Sequence, residues 1–379
     1  MATIHRHLHR LAWLAVALAF GVIVFGAFVR LSNAGLSCPD WPTCYGRASW
    51  PTHAQDIAAA NAQFTRPVEV HKAWREQTHR MLAGTLGVLV LVLALLAARR
   101  RRDGIAIIVG AALLVAASIP LYMHAHYPWA GALAIAGELL LVVSAARWSG
   151  DQARVATLAL AMIVFQALLG MWTVTWLLKP VVVMGHLLGG LATFALLTWL
   201  AWRSMPDGML TLGGAFRLRV LLWIGLGLLL VQIALGGWTS ANYAAWSCGT
   251  DFPKCLDQWW PAMDFKQAFM LSRGAGVDYE GGVLDGPARV AIQMTHRLFA
   301  LLVFGHLLAV GIRLLRTPGM RFWALTLMIL VCAQVALGIS NVLFALPLPV
   351  AVLHNAGAAL LLFVLVSLLA RLREPEELD

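Results

Sequence analysis

Charge is scarce in this chain: Asp, Glu, Lys and Arg make up 12% of its 379 residues, whereas 60% are apolar. One water-soluble core cannot use that much apolar surface, so an ordinary soluble domain is excluded and a bilayer is the natural solvent. Cysteine is sparse too, five in all, and neither short pair, Cys38 with Cys44 or Cys248 with Cys255, has the two-residue spacing that favours zinc or a thioredoxin-like centre. A small-x-small cleavage site is missing after the first apolar run, which continues from Phe28 into Arg30 and Asn33, so that run does not read as a removed leader.

Acidic residues are outnumbered 18 to 28, for a net charge of +10. The arginines show why nucleic acid need not be the partner. Sixteen of them, from Arg6 and Arg10 through the block Arg99 to Arg102 to Arg371 and Arg373, flank apolar runs such as Leu11 to Phe28, Leu82 to Ala98, Leu221 to Leu235 and Ala351 to Ala370. With a cytoplasmic N-terminus, about ten crossings put all sixteen on one side, against seven acids (Asp103, Asp151, Asp207, Glu374, Glu376, Glu377, Asp379). That is the positive-inside pattern, with both termini cytoplasmic. The two cysteine pairs then fall in periplasmic loops, where an oxidising compartment favours the disulfides Cys38–Cys44 and Cys248–Cys255, a metal or redox site being the alternative. Cys332, inside an apolar run, is expected to be a small buried packing residue.

Motifs recur in the same order. Gly26 to Asn33 followed by Cys38 and Cys44 is echoed by Gly237 to Asn242 followed by Cys248 and Cys255. Thr78-His79-Arg80 is echoed by Thr295-His296-Arg297, and Gln166 to Gly170 by Gln334 to Gly338, each Gln preceding a helix-borne histidine (His186, His354) at the same spacing. The chain therefore reads as an all-α polytopic membrane protein of two pseudo-symmetric four-helix bundles in parallel repeat, 1–210 and 211–379. Residues 104–150 add two apolar runs, read as a two-helix insertion, with a re-entrant hairpin as the alternative. His124 and His126 fall in its turn, expected to be solvated, and Glu138 is expected to be hydrogen-bonded within the bundle rather than catalytic.

Four histidines at similar depth, two per half, suit axial ligation of haem iron, because a neutral imidazole binds through one ring nitrogen and ionisable groups inside a membrane are costly. Carboxylates and thiolates that would close a zinc or copper shell are missing at that depth. Arg30, Arg80 and Arg297 at the same face suit haem propionates; snorkelling to headgroups is the alternative. The halves differ at one position: Glu76 lies three residues before His79, and its counterpart before His296 is Gln293.

These residues resemble the haem A synthase family over nearly the whole chain. The resemblance is carried by Glu76-Gln-Thr-His79-Arg80, by the loop from Asn33 through Cys38-Pro-Asp-Trp-Pro-Thr-Cys44 to Tyr45-Gly46, by Gly170-Met-Trp-Thr-Val before His186, and by His296-Arg297 and His354. It implies oxidation of one ring methyl of haem O to the formyl group of haem A by successive hydroxylations. It further implies that His79 and His186 face the substrate haem and that His296 and His354 hold a haem b, with Glu76, His79 and His186 catalytic. The implied place is a bacterial inner membrane, haem sites towards the periplasm. Haem O synthase, cytochrome oxidase assembly factors and a second copy of the chain are candidate partners, and the electron donor is open. The insertion departs from the family's usual eight spans. A di-haem b cytochrome for quinol-linked electron transfer, a haem transporter or chaperone that binds haem without altering it, and a thiol-disulfide oxidoreductase are the competing readings; the first explains all four histidines but not Glu76, and the last leaves the histidines unexplained.

Overall fold

The computed structural model describes residues 2–206, 208–274 and 276–374. Asp207, Glu376, Glu377 and Asp379, and the side chains of Arg6 and Asp151, lie outside that description. Among the described residues, twelve helices and two two-residue strands follow in order: α1 (Ala2–Leu31), α2 (Ala54–Gln63), α3 (Val70–Ala98), α4 (Gly104–Met123), α5 (Tyr127–Arg147), α6 (Asp151–Thr175), α7 (Pro180–Arg203), β1 (Leu210–Thr211), α8 (Ala215–Ala241), α9 (Phe265–Ala268), α10 (Gly286–Leu315), α11 (Arg321–Leu343), α12 (Leu348–Arg371) and β2 (Leu372–Arg373). Ten of the helices are long and apolar enough to cross a membrane. Helices apolar all round cannot hide their surface in water, and in lipid they satisfy every backbone group internally. The protein is a multi-pass membrane protein.

The packing repeats. In the first half α1 touches α3, α3 touches α6, α6 touches α7 and α7 returns to α1; in the second the same ring runs α8, α10, α11, α12 and back to α8. Helices α3 and α7 therefore stand across one ring, and α10 and α12 across the other. The rings meet where α12 packs on α1 and α7, and α7 on α8. Trp202 of α7 donates from Nε1 to Ser367 Oγ of α12 at 2.8 Å. The linker strand β1 pairs in parallel with β2, closing the end of the molecule remote from the cysteine loops.

The insertion forms two full helices, α4 and α5, of 20 and 21 residues, so the re-entrant alternative gives way to two more candidate spans. They pack closely on each other because Gly137 approaches Ala111 and Val115, where a Cβ would lie 3.0 Å from the Ala111 carbonyl oxygen. The hairpin leans on α3 and α6 from outside, and those two still touch directly, so the ring is undisturbed. His124 and His126 are exposed in its turn, as expected. Two expectations fail. Glu138 Oε2 is buried and meets no hydrogen-bond partner among the described residues, because the neighbours its helix faces are apolar. Cys332 is exposed on the outside of α11, since a membrane helix presents small apolar residues to lipid as readily as to protein.

Candidate functional site

The four histidines sit on the helices that face each other across the two rings: His79 on α3 with His186 on α7, His296 on α10 with His354 on α12. Each pair is close enough to interact electrostatically. Each half-buried ring lies over a glycine of the helix beside it. A Cβ built on Gly26 of α1 would lie 2.7 Å from His79 Cε1, on Gly170 of α6 3.4 Å from His186 Cε1, on Gly236 of α8 3.1 Å from His296 Cε1, and on Gly338 of α11 3.1 Å from His354 Cε1. At Gly26, Gly236 and Gly338 a Cβ would crowd the ring, whereas at Gly170 it would be at the edge of ordinary contact. One diagonal of each bundle thus carries imidazoles and the other carries their glycine floors.

Gly26 and Gly236 being equivalent, Asn33 matches Tyr243, and both take the left-handed backbone with φ of 51° and 53°. The structural pairing therefore departs by one residue at each end from the alignment of Gly26 with Gly237 and Asn33 with Asn242 expected from sequence; Gly237 instead packs on Leu187 of the first half. Both second-histidine helices begin from the same turn: Leu177 and Leu178 have φ of 47° and 59°, and Ala345 and Leu346 have 56° and 58°. In each, a nitrogen bonds back into the preceding helix, Leu178 N to Thr173 O and Leu346 N to Asn341 O, both 2.8 Å. Side chains with a Cβ pay to adopt this conformation, and its retention in both halves fixes where α7 and α12 start, hence the height of His186 and His354.

Glutamines hold the imidazoles. With its amide turned to satisfy its neighbours, Gln166 donates to His186 Nδ1 and to the His186 carbonyl, both at 2.9 Å, and accepts from Gly190 N at 3.2 Å. Gln334 Nε2 donates to the His354 carbonyl at 2.9 Å. Gln232 Nε2 lies 3.2 Å from both His296 Nδ1 and its carbonyl oxygen. His79 Nδ1 and His354 Nδ1 are buried without a partner among the described residues. Gln166, Gln334, Gly26, Gly170 and Gly338 were visible in repeat motifs, whereas Gln232 and Gly236 were missed; that these residues touch the histidine segments was not visible, because the contacts run between helices.

The cysteine loops sit on the open ends of the rings. Cys38 is bonded to Cys44 and Cys248 to Cys255. The first loop is clamped to α3: Glu76, buried, accepts from Cys38 N at 2.8 Å and from Arg80 Nη2 at 2.6 Å. Arg80 Nη1 also donates to the carbonyls of Asp40 and Thr43 at 2.7 and 2.6 Å, and its Nη2 to that of Cys38 at 3.2 Å. Arg80 is thus committed to the loop, an assignment that neither the propionate nor the snorkelling expectation anticipated. In the second half Arg297 Nη1 donates to the carbonyls of Asp251 and Lys254 at 3.1 and 3.0 Å, while its Nε and Nη2 are buried with no acceptor among the described residues. Arg30 reaches into the other half, donating to Ser240 O at 2.7 Å and stacking on Tyr243 at 4.5 Å, with its Nε also buried and unpaired.

The chain matches the COX15-CtaA family of cytochrome oxidase assembly proteins over residues 9–119 and 104–366. The chain is 37% identical over 364 residues to a haem A synthase of Shewanella oneidensis, covering 95% of this chain and 96% of that one. It is 27% identical over 394 residues to a haem A synthase of Caulobacter vibrioides, covering 96% of each. A haem A synthase of Rhizorhabdus wittichii is 26% identical over 381 residues, covering 93% of this chain and 90% of that protein. Paired histidines in duplicated rings, and a similarity that runs through both, lead to one conclusion: the chain belongs to the haem A synthase (COX15-CtaA) family.

Proposed function

We propose that the protein is a haem A synthase, an oxidoreductase that converts a methyl group of haem O to the formyl group of haem A in the first half, 1–210, beside a haem b held in the second, 211–379. The observation that carries the reading is the pairing of four glycine-floored imidazoles in two rings, only one of which has a carboxylate beside its histidine.

The residues present fit haem. Neutral imidazole nitrogens supply axial donors for iron, and the glycine floors keep each ring set back from the centre of its bundle. The unpaired Nε and Nη2 of Arg297 and Nε of Arg30 fit an anionic edge such as a propionate. His296 and His354 would hold the haem b, which supplies a one-electron redox centre when bound. His79 and His186 would bind the substrate haem, and Gln166 and Gln232 fix ring orientation, as partners of ligating imidazoles do. Glu76 stands at the mouth of the substrate ring, one turn before His79, where a carboxyl group can accept or return a proton during hydroxylation and loss of water. Its bond to Cys38 N ties that carboxylate to the loop covering the site. Arg80 is a positioning residue, orienting Glu76 and the loop together.

The arginine-rich ends are assigned to the cytoplasm and the cysteine loops to the periplasm of a bacterial inner membrane, on the positive-inside rule. A haem O synthase upstream and cytochrome oxidase assembly factors downstream are the partners this reaction calls for. The test is to purify the full chain, extract its haems and separate them with mass detection. Haem b together with haem O, its hydroxylated form or haem A is the expected result; two equivalents of haem b and no farnesylated haem would overturn the reading in favour of an electron-transfer cytochrome.

A further inference from the structure

The loop between α9 and α10 of the second half crosses onto the first. Its segment 276–282 is bounded by glycines of positive φ, Gly276 at 75° and Gly281 and Gly282 at 79° and 86°. Tyr279, only 4% exposed, is buried there among first-half side chains: Leu36 of the first cysteine loop, Val174 of α6, Leu178 before α7 and, partly buried, Leu177 and Val183. Its backbone N donates at 3.1 Å to Leu177 O, a carbonyl of the left-handed turn from which α7 starts. The loop is held at three further points. Arg66, between α2 and α3, donates to Glu280 Oε2 at 2.8 Å and lies 4.0 Å from Asp278 Oδ2. Lys179, at the start of α7, donates to Ser272 Oγ at 3.1 Å. Gly282 packs on the end of α8, where a Cβ would lie 3.2 Å from Tyr243 Cβ.

Val183 stands one turn before His186 on α7, and Val174 one turn after Gly170, the floor of that imidazole, on α6. Tyr279 therefore packs about one turn, roughly 5 Å, nearer the cysteine loops than His186. Its hydroxyl is buried without a partner among the described residues, so what the residue supplies is its ring and its backbone. The second ring has no such cover. Ala345, the counterpart of Leu177, is exposed, Leu346, the counterpart of Leu178, is only half-buried, and no hydrogen bond from another loop reaches that turn among the described residues. A haem that stays bound cross-links its two imidazoles and keeps their helices in place. A haem that leaves as product removes that cross-link at every turnover, so the protein itself must hold the empty ring ready for the next substrate.

We propose that Tyr279 is a positioning residue for the reaction of the first ring: carried on a strap from the second half, it holds the Leu177–Leu178 turn, and through it the start of α7, so that His186 keeps the height the substrate haem requires. The inference rests on the proposed function, in which His186 faces that haem. Removing the phenol opens a cavity beside Leu178 and loosens the turn, so α7 starts at no fixed height and His186 meets the iron in several poses.

The test uses the full chain in nanodiscs and compares the wild type with Tyr279→Ala, the conservative Tyr279→Phe and the control Val290→Ala, which loses a buried side chain beside the second disulfide. Hydrogen exchange read by mass spectrometry should rise roughly tenfold or more over residues 174–183 in Tyr279→Ala and stay unchanged over the matching 342–351. Haem O supplied to the same variant should be retained roughly tenfold less, with a broadened low-spin electron paramagnetic resonance signal and unchanged haem b. Tyr279→Phe should restore both readouts, and Val290→Ala should lower the melting temperature without moving either. Tyr279→Leu keeps apolar bulk without the reach of the ring, so it guards against a folding failure and should fall between. Unchanged exchange and haem O signal in Tyr279→Ala, loss of haem b in step with haem O, or a Tyr279→Phe variant as impaired as Tyr279→Ala would overturn the inference and leave the proposed function standing. A wild type that binds no farnesylated haem would overturn both.

Discussion

The two rings are built alike and equipped differently. In the first, Arg80 is bound to Glu76 and to three loop carbonyls. In the second, Gln293 stands where the acid stood, and Arg297 keeps two buried donors without an acceptor. The structural repeat that equates Gly26 with Gly236 also places Val22 opposite Gln232, so only the second ring has an amide beside its first histidine. The loops differ as well: Tyr45, whose hydroxyl donates to Pro67 O at 3.0 Å, corresponds to Leu256. Duplication kept the facing imidazoles and their glycine floors, and divergence changed the groups around them. A ring whose arginine is neutralised by an acid suits proton chemistry, whereas one with free guanidinium donors suits firm retention of an anionic cofactor.

Substituting the histidines should produce the largest effect. His296→Ala or His354→Ala is expected to abolish most haem b retention while leaving substrate haem bound, and His79→Ala or His186→Ala the reverse; pyridine haemochrome spectra with haem extraction would read this. Wild-type haem b in both second-half variants would break the division between the rings.

Exchanging the acid sharpens the comparison. Glu76→Gln should slow formation of haem A by about 10² to 10⁴ with haem b intact and haem O or its hydroxylated form accumulating, and Gln293→Glu should leave the rate unchanged. A purely structural Glu76 would instead lower stability and haem b together, since its bond to Cys38 N is what fastens the loop.

Smaller effects should follow from the supports. Gly236→Ala puts a Cβ 3.1 Å from His296 Cε1 and should tilt that imidazole, changing the low-spin electron paramagnetic resonance signal of haem b. Gln232→Leu should weaken haem b retention by about tenfold, the lower end of what such partners of a ligand contribute, and Val22→Leu should not affect it.

The smallest effect concerns pH. Burial pushes the Tyr45 phenol up to about 12 from 10.0, so the folded loop prefers the neutral form. The resulting stability is complete below pH 10, declines between 10 and 12, and is gone above 12. Alkaline melting curves should lose that component in Tyr45→Phe, while the second loop, with Leu256, has none to lose.

Much of this architecture is legible in one dimension because the forces behind it are local or periodic. The apolar runs demand spans, the arginines orient them, and a repeated Thr-His-Arg and Gln-to-His spacing exposes the duplication. Glu76 against Gln293 stands out for the same reason, as one difference within a repeat. Cys332 and Glu138 were misjudged because burial in a membrane protein depends on which face of a helix meets protein, and an apolar helix of low amphipathicity does not declare that face. The bonds of Arg80 to the first loop were not legible because its acceptors are loop carbonyls, whose direction no residue type reveals.

Readable from the chain alone were the number of crossings, the duplication, the four histidines and the cysteine pairs, all properties of composition and spacing. Packing in three dimensions set which helices face each other across a ring, which glycines floor the imidazoles, and which arginine spends its donors on the loop and which keeps buried donors without an acceptor. These depend on contacts between helices far apart in sequence, whose geometry follows from how side chains fill the space between them.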